Sequence, residues 1–351
     1  MAHILAIRFS ALGDIAMAIP VLYSFAKHYP QHEVTLLSRP VAGALLAEAP
    51  RNVHFIGVDL KQYAGLKGLW RLYEELKKMS FDAVADLHDV IRSKVLRAAF
   101  RHAGLPTTHI NKGRNAKRAL TRRLNKQKVQ LTPSTERYLQ TFTALGYPFT
   151  IDFTSIYGGR KPDTATNTEM PTRKEGEKWI GIAPFAAHKG KIYPLTQMEK
   201  VIAMLSKQEK NRIFLFGAGA YEKTWCEKWQ SAYEHTESLV GKFKMSNELA
   251  LMSQMDVMLT MDSANMHLAG LVKTPTVSIW GATHPYAGFS GMPAEGSQQM
   301  GSDMDCRPCS IFGNKNCYRK DYACLWSIKP ENIVETINAV ISSKAEYTET
   351  T

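Results

Sequence analysis

Short apolar runs alternate with amphipathic stretches through the first ninety residues. The runs are rich in Val, Ile, Leu and Phe, which predicts buried strands at residues 3–9, 33–38, 53–58 and 81–87. Apolar positions repeating every three to four residues predict helices from Ile15 to about His28 and over 66–79. Strands that alternate with helices in this way indicate a parallel sheet covered by helices.

A second series of the same kind follows a polar stretch, residues 158–178, which contains two prolines and lacks apolar periodicity. Strands are predicted at 179–183, 212–216, 257–261 and 276–280, and helices at 196–206, 221–235, 246–255, 264–271 and 331–343. The predicted fold class is therefore α/β, with two Rossmann-like domains. We expect an N-terminal domain over 1–160, a linker over 161–177, a second domain over 178–330, and a C-terminal helix and tail over 331–351.

Composition is ordinary for a globular protein of 351 residues, with 44% hydrophobic and 22% charged residues. No apolar run reaches the roughly 18–20 residues needed to cross a bilayer. The first residues do not resemble a signal peptide. These features predict a cytoplasmic protein.

The net charge of +12 is unevenly placed. Residues 1–165 hold 24 Lys and Arg against 12 Asp and Glu, and twelve of these cations lie in an acid-free stretch from Val90 to Thr135. Such a field attracts phosphorylated partners, although a merely solvated basic face is the simpler alternative. Aromatic residues are scarce there, so bases have no stacking platform. An anionic lipid or glycan is therefore favoured over nucleic acid.

The loop that follows the first predicted strand carries Gly13 and Asp14. Ligands of open α/β sheets bind beyond the carboxyl ends of the strands, and a glycine lets the backbone approach them. Asp14 is thus a candidate site carboxylate. An N-cap for the following helix is the alternative explanation.

The segment Asp262–His267 lies at a corresponding place after the strand at 257–261. Ser263, Ala264 and the free amides of a helix start form a natural anion site. His267 falls four residues beyond Ser263, on the same helical face. A capped helix with a buried histidine is the alternative.

Two further loops follow predicted strands. Lys189 and Lys191 flank Gly190, where cations would neutralise a departing diphosphate, but lysines in such loops are often only solvated. The sequence Gly217-Ala218-Gly219 looks like part of a dinucleotide fingerprint, but its third glycine is missing.

Three segments together resemble glycosyltransferase family 9, the ADP-heptose:lipopolysaccharide heptosyltransferases. RFSALGDIAMAIPVL (8–22) resembles the family's opening motif, and DLHDVIRSKVL (86–96) its internal Asp…Arg-Ser motif. DSANMHLAGLVKTPTVSIWGATHP (262–285) is similar to the family signature, and a CRPC…C…C…IKPE pattern also occurs in many members.

The resemblance implies a GT-B fold, with two facing Rossmann-like domains and a cleft between them. It implies an inverting transfer of heptose from ADP-heptose to the inner core of lipopolysaccharide, with no cofactor required for catalysis. Asp14 would be the general base and Lys191 would stabilise the diphosphate. Residues that would bind the donor are Gly13, Lys189, Glu222, Met245, Asp262, Ser263, Ala264 and His267.

The same resemblance gives the basic stretch a role, since the N-terminal domain of this fold faces the acceptor. Arg92, Arg118, Arg122 and Arg123 would contact acceptor phosphates or lipid headgroups. The protein would then be peripheral on the inner face of the cytoplasmic membrane, and nucleic acid would not be a partner. The loop 184–188 lacks the hydroxyl residues that some members use, and the spacing from Met245 to Asp262 is short, which leaves the exact donor sugar open.

Four cysteines, Cys306, Cys309, Cys317 and Cys324, have a spacing that suits a structural Zn²⁺. Disulfides are not expected in the cytoplasm. Four reduced cysteines packing a loop are the alternative, since the last two spacings are not those of a zinc ribbon.

Other functions are open at this point. A dinucleotide-dependent oxidoreductase needs a full G-x-G-x-x-G after the first strand, which SALGD does not provide. A relative that transfers another nucleotide sugar, or builds another surface glycan, and a non-catalytic glycan- or lipid-binding relative are the remaining alternatives.

Overall fold

The computed structural model describes residues 1–46, 48–162, 164 and 170–349, with the backbone alone for 344–349. Part of the predicted linker 161–177 lies outside these ranges, and so do the last two residues of the predicted tail. The chain divides into two compact units. Unit 1 comprises Met1–Gly113 and Thr132–Gly158, and unit 2 comprises Arg114–Leu131 and Gly159–Thr351.

Unit 1 has a five-stranded, all-parallel sheet in the order β3-β2-β1-β4-β5. Its strands are β1 His3–Ile7, β2 Glu33–Ser38, β3 Val53–Gly57, β4 Ala83–Asp86 and β5 Thr107–His109. Its helices are α1 Leu12–His28, α2 Gly65–Lys77, α3 Ile91–His102 and α5 Ser134–Thr143. A 3₁₀ helix spans Pro40–Leu46.

The core of unit 1 explains why the apolar runs form strands. Leu5 and Ile7 of β1 are fully buried in one cluster with Leu76 of α2 and Phe100 of α3. Central parallel strands are covered on both faces, so they read as nearly continuous apolar runs. Helix α1 packs on α5, where the Phe25 and Phe142 rings lie 5.3 Å apart.

Unit 2 has a six-stranded, all-parallel sheet in the order β11-β10-β9-β6-β7-β8. Its strands are β6 Lys178–Ala183, β7 Asn211–Leu215, β8 Thr236–Ser238, β9 Val257–Met261, β10 Thr276–Trp280 and β11 Gln298–Gly301. Its helices are α4 Arg114–Thr121, α6 Leu195–Ser206, α7 Gly219–Ala232, α8 Met245–Gln254, α9 Ala264–Leu271, α10 Ala323–Trp326 and α11 Pro330–Glu349. Short 3₁₀ turns lie at Lys189–Lys191 and Pro285–Ala287.

The segment Arg114–Leu131 groups with unit 2 although it precedes the predicted boundary at residue 160. Leu120 and Leu131 are buried in one apolar cluster with Ala287. The Leu131 amide also donates to the Tyr286 carbonyl at 2.9 Å. This packing corrects the prediction that residues 1–160 form one domain. At Thr132 the chain returns to unit 1, and it enters unit 2 for the second time between Gly158 and Gly159.

In the part of the chain that the structure describes, no helix combines the length and the apolar character of a membrane span.

Candidate active site

Asp14 lies in the first turn of α1, just beyond the carboxyl end of β1. Its Oδ2 accepts the amide of Ala11, the residue before the helix, at 3.1 Å. Asp14 is therefore the third residue of the helix rather than its N-cap, although its carboxylate does satisfy an amide at the helix start. The side chain is 27% exposed, so it remains accessible for a substrate hydroxyl.

An arginine that the sequence analysis did not single out fixes this carboxylate. Arg8 Nη2 lies 2.7 Å from Asp14 Oδ2, and Arg8 Nη1 donates to the Leu87 carbonyl at 2.7 Å. The Arg8 guanidinium lies 5.7 Å from the centre of the Tyr138 ring, and the Tyr138 hydroxyl donates to the Asp14 carbonyl at 3.3 Å. The one feature of the sequence that could have indicated this role is that Arg8 is a charged residue near the end of an apolar run.

The loop after β4 supports the same region. Asp86 is fully buried, and its carboxylate accepts the amides of His88 and Asp89 and one N–H of Arg97. His88 Nδ1 accepts the Phe9 amide at 3.3 Å, which leaves the imidazole proton on Nε2, 3.4 Å from the Ser10 hydroxyl. Burial, with the Arg8 charge second, lowers the pKa of His88 to about 3. A neutral histidine therefore holds the loop that leads to Asp14.

In unit 2, the candidate diphosphate site begins at the end of β9. Ser263 is the N-cap residue of α9, but its hydroxyl makes no hydrogen bond within the described residues. The structure therefore does not support the alternative interpretation, in which the Ser263 side chain caps the helix. Ala264 starts the helix, and His267 is buried one turn further. A hydroxyl and helix-start amides together suit an anionic ligand.

A lysine from the other predicted cation loop reaches this helix start. Lys191 Nζ lies 2.9 Å from Asp262 Oδ2, and the Asp262 side chain is only 3% exposed. The 3₁₀ turn that carries Lys191 is fixed because the Gly190 carbonyl accepts the Ala282 amide at 2.8 Å. Lys189 lies over the Tyr322 ring at 5.2 Å. The structure thus brings Lys191 and the segment Asp262–His267 together beyond the carboxyl ends of the neighbouring strands β6 and β9.

The softer donor-binding predictions lie at the starts of α7 and α8. Glu222 Oε2 accepts the Ala218 amide at 2.7 Å, and burial raises the pKa of Glu222. Met245 is the first residue of α8 and is half-buried. One turn along, burial raises the pKa of Glu248 to about 7. The donor-binding roles of Glu222 and Met245 stay predictions.

The four clustered cysteines form no disulfide among the described residues, and Cys324 is the most buried of them. Within the described ranges, no three or more His, Cys, Asp or Glu side chains are arranged to hold a metal ion. The structural zinc site that the cysteine spacing suggested stays a prediction.

The predicted acceptor arginines are divided between the two units. Arg92 is exposed on α3 of unit 1, whereas Arg118, Arg122 and Arg123 are exposed on or just after α4 of unit 2. The structure therefore corrects the expectation that all four belong to one N-terminal domain.

Two all-parallel sheets flanked by helices, with candidate site residues beyond the carboxyl ends of their strands, give the two Rossmann-like units typical of GT-B glycosyltransferases. The profile of glycosyltransferase family 9 (heptosyltransferase) matches residues 69–316, so the chain belongs to this family.

Individual relatives agree with this assignment. Lipooligosaccharide heptosyltransferase 2 of Campylobacter jejuni is 26% identical over 334 residues, which cover 92% of this chain and 93% of the relative. The structure of E. coli ADP-heptose lps heptosyltransferase II has a TM-score of 0.70 at 19% identity, covering 98% of this chain and 100% of that one. E. coli heptosyltransferase WaaC with ADP-2-deoxy-2-fluoro heptose has a TM-score of 0.68 at 15% identity, covering 96% and 99%. The predicted α/β class and GT-B fold are thereby confirmed.

Proposed function

We propose that this protein is an inverting glycosyltransferase that moves heptose from ADP-heptose to the inner core of lipopolysaccharide. The observation that carries the proposal is the ion pair of Lys191 and Asp262 beside the start of α9, together with the Ser263 hydroxyl, which has no hydrogen-bond partner among the described residues. A cation, a hydroxyl and helix-start amides are groups that bind the oxygens of a nucleoside diphosphate. Family membership and the relative solved with an ADP-heptose analogue support ADP-heptose as the donor.

The reaction uses few groups of this chain. Asp14 accepts the proton of the acceptor hydroxyl while the hydroxyl oxygen attacks the anomeric carbon of the heptose. The bond from that carbon to the diphosphate breaks, and ADP leaves with the charge that Lys191 and the α9 amides stabilise. One displacement on the face opposite the leaving group inverts the anomeric configuration. Each step is a proton or group transfer that these side chains support without a cofactor.

The test is a transfer assay on the purified chain. ADP release is measured with ADP-heptose and a panel of other nucleotide sugars, each with and without deep-core lipopolysaccharide. We expect release that requires both ADP-heptose and the acceptor. Turnover with a different nucleotide sugar would assign the chain to another transfer within the family, and binding of ADP without any turnover would indicate a non-catalytic relative.

We also propose that the protein acts at the inner face of the cytoplasmic membrane. The net charge of +12 and the exposed Arg92 and Arg118 support attraction to anionic headgroups. Co-sedimentation with phosphatidylglycerol vesicles should occur at low salt and disappear at high salt, since surface charge is screened. The variant Arg92→Gln/Arg118→Gln should bind less, and equal binding to neutral phosphatidylcholine vesicles would contradict the proposal.

A further inference from the structure

A cavity of about 270 Å³ in unit 2 adjoins the cysteine segment 306–324. The lining comes from the end of α4 with the residues just after it, and from the cysteine segment: Thr121, Arg122, Arg123 and Lys126 on one side, and Cys306, Cys309, Lys315, Asn316 and Tyr318 on the other. Four cationic side chains line it, and no carboxylate does. These cations are Arg122, Arg123, Lys126 and Lys315.

The cations of this cavity form no ion pairs with described carboxylates. Among the residues that the structure describes, no carboxylate lies within ion-pair distance of Arg122, Arg123 or Lys315, whereas the nearby Lys128 is 3.6 Å from Asp305. A basic groove on α3 of unit 1 is different, because Lys94 and Arg97 are both paired with carboxylates. Uncompensated positive charge in a concave site attracts an anion.

Three of the four cations are held in place. Lys126 Nζ donates to the carbonyls of Cys306 and Pro308 at 2.6 and 2.9 Å. Arg122 Nε donates to the Asn125 carbonyl at 2.5 Å, which leaves its terminal N–H groups for a ligand. The Arg123 guanidinium lies 4.8 Å from the centre of the Tyr318 ring. Cations that are already oriented lose less entropy when they bind a ligand.

The side chains that line the cavity indicate which class of ligand it can bind. The planar guanidinium group of arginine can donate two parallel hydrogen bonds to two oxygens of one phosphate, and lysine adds a compact positive charge. Tyr318 is the aromatic residue of the lining, and the Arg123 guanidinium already lies against its ring, so a nucleotide base would have to displace this contact to stack on that side. A phosphate group on a saccharide fits better than a nucleotide, and a cavity of this volume holds one such group with part of its sugar.

We propose that this cavity binds a phosphate group of the acceptor saccharide, with the cysteine segment as one wall of the site. The inference rests on the proposed function, because the acceptor is taken to be a lipopolysaccharide core. It goes beyond that function by assigning acceptor recognition to unit 2, and it gives the cysteine segment a role that needs no metal.

The test compares two acceptors and two double variants of the full chain. The acceptors are a phosphorylated core oligosaccharide free of lipid and the same material after phosphatase treatment. Arg123→Gln/Lys315→Gln removes two cavity charges, and Lys207→Gln/Lys210→Gln is the matched control, which removes two exposed charges elsewhere in unit 2. KM and kcat are measured with ADP-heptose, and binding of each oligosaccharide and of inorganic phosphate is measured by calorimetric titration.

We expect the cavity variant to raise KM for the phosphorylated acceptor about 10- to 100-fold, as for the loss of two charge-assisted hydrogen bonds. Its kcat and its KM for ADP-heptose should stay within about twofold of wild type, and the control variant should match wild type. The phosphatase-treated acceptor should bind wild type and variant equally. An unchanged KM for the phosphorylated acceptor, or an equal rise for both acceptors, would overturn the proposal.

The titrations separate this proposal from the proposed function. If wild type transfers no heptose, the proposed function fails, but tighter binding of the phosphorylated oligosaccharide to wild type than to the cavity variant still supports the cavity. Equal binding to both proteins overturns it. If inorganic phosphate binds as tightly as the oligosaccharide, the cavity is a site for free phosphate and acceptor recognition is excluded.

Discussion

Arg8 Nη2 lies 2.7 Å from Asp14 Oδ2, and this ion pair joins the end of β1 to the first turn of α1. The Arg8 side chain is 9% exposed and the Asp14 side chain 27%, so the arginine lies beneath the carboxylate. A general base acts only when its carboxylate faces the hydroxyl in a fixed orientation. In the proposed mechanism, Arg8 would supply that orientation from the buried side, while the Ala11 amide donates to the same oxygen.

Removing the carboxylate should abolish most of the chemistry. We expect Asp14→Asn to lower kcat by about 10²- to 10⁴-fold, the range for loss of a positioned base. Steady-state kinetics with saturating ADP-heptose measures this. Calorimetric titration of ADP should give a wild-type affinity, because the residues proposed to bind the diphosphate belong to unit 2. A variant that keeps more than about a tenth of wild-type kcat would exclude Asp14 as the base.

Removing the arginine tests orientation apart from proton transfer. Arg8→Met leaves Asp14 in place but loses the ion pair and the donor to the Leu87 carbonyl. We expect kcat to fall about tenfold and the free energy of unfolding to fall by about 1–3 kcal/mol. Arg8→Lys should recover part of both, because a lysine keeps one charged donor. Wild-type kcat in Arg8→Met would show that Asp14 needs no such support.

Much of the fold could be predicted from the sequence because buried parallel strands are apolar on both faces. The bounds of β2, β9 and β10 match the predicted ones. The edge strands β5 and β8, with the sequences TTH and TES, carry no apolar signal and were missed. The place of α4 in unit 2 could not be predicted either, since it depends on Leu120 and Leu131 packing near Ala287, more than 150 residues away.

Candidate site residues could be selected from the sequence where they lie together in one loop. Asp14 and the segment Asp262–His267 each follow an apolar strand. Their position in the sequence alone therefore placed them at the carboxyl end of a strand, where ligands of α/β sheets bind. The partners that fix them were not predictable in the same way. Arg8 sits in a run of buried residues, and the contact of Lys191 with Asp262 joins two loops that only the β6–β9 pairing brings together.

The Lys191–Asp262 pair predicts a specific pattern of rescue. Lys191→Met should lower kcat by about 10²-fold or more by removing the diphosphate cation. It also leaves a carboxylate that is 3% exposed without its cation, which should cost about 3–5 kcal/mol of unfolding free energy. The double variant Lys191→Met/Asp262→Asn should recover most of the stability but none of the activity. Denaturant unfolding and kcat are measured on all four proteins of the cycle, and additive stability effects would show that the two side chains do not interact.

The turn that carries Lys191 depends on a close backbone approach. A Cβ on Gly281 would lie 2.6 Å from the Gly190 carbonyl oxygen, which is too close for either backbone to stay in place. We expect Gly281→Ala to shift the Lys189–Lys191 turn and weaken ADP binding at least about tenfold, by misplacing a charged contact. Calorimetric titration of ADP measures the loss. An affinity equal to wild type would show that the turn adapts or that Lys191 does not contact the diphosphate.

Glu248 predicts how stability depends on pH. Burial raises the pKa of its carboxyl from 4.5 to about 7, so between these values the folded chain holds a proton that the unfolded chain has released. The folded state is therefore penalised as the pH rises from about 4.5 through 7, and the full cost applies above that range.

Replacing the carboxyl with an amide removes this penalty. At pH 8 we expect Glu248→Gln to stabilise the fold by about 1–3 kcal/mol. Its midpoint of thermal unfolding should then rise by about 3–6 °C. At pH 4 both proteins carry a neutral group, and their midpoints should agree within about 1 °C. Glu209→Gln, at an exposed glutamate of the same unit, should show no such difference between the two pH values. A rise for Glu248→Gln that is equal at pH 4 and pH 8 would mean that packing, and not ionisation, sets the effect.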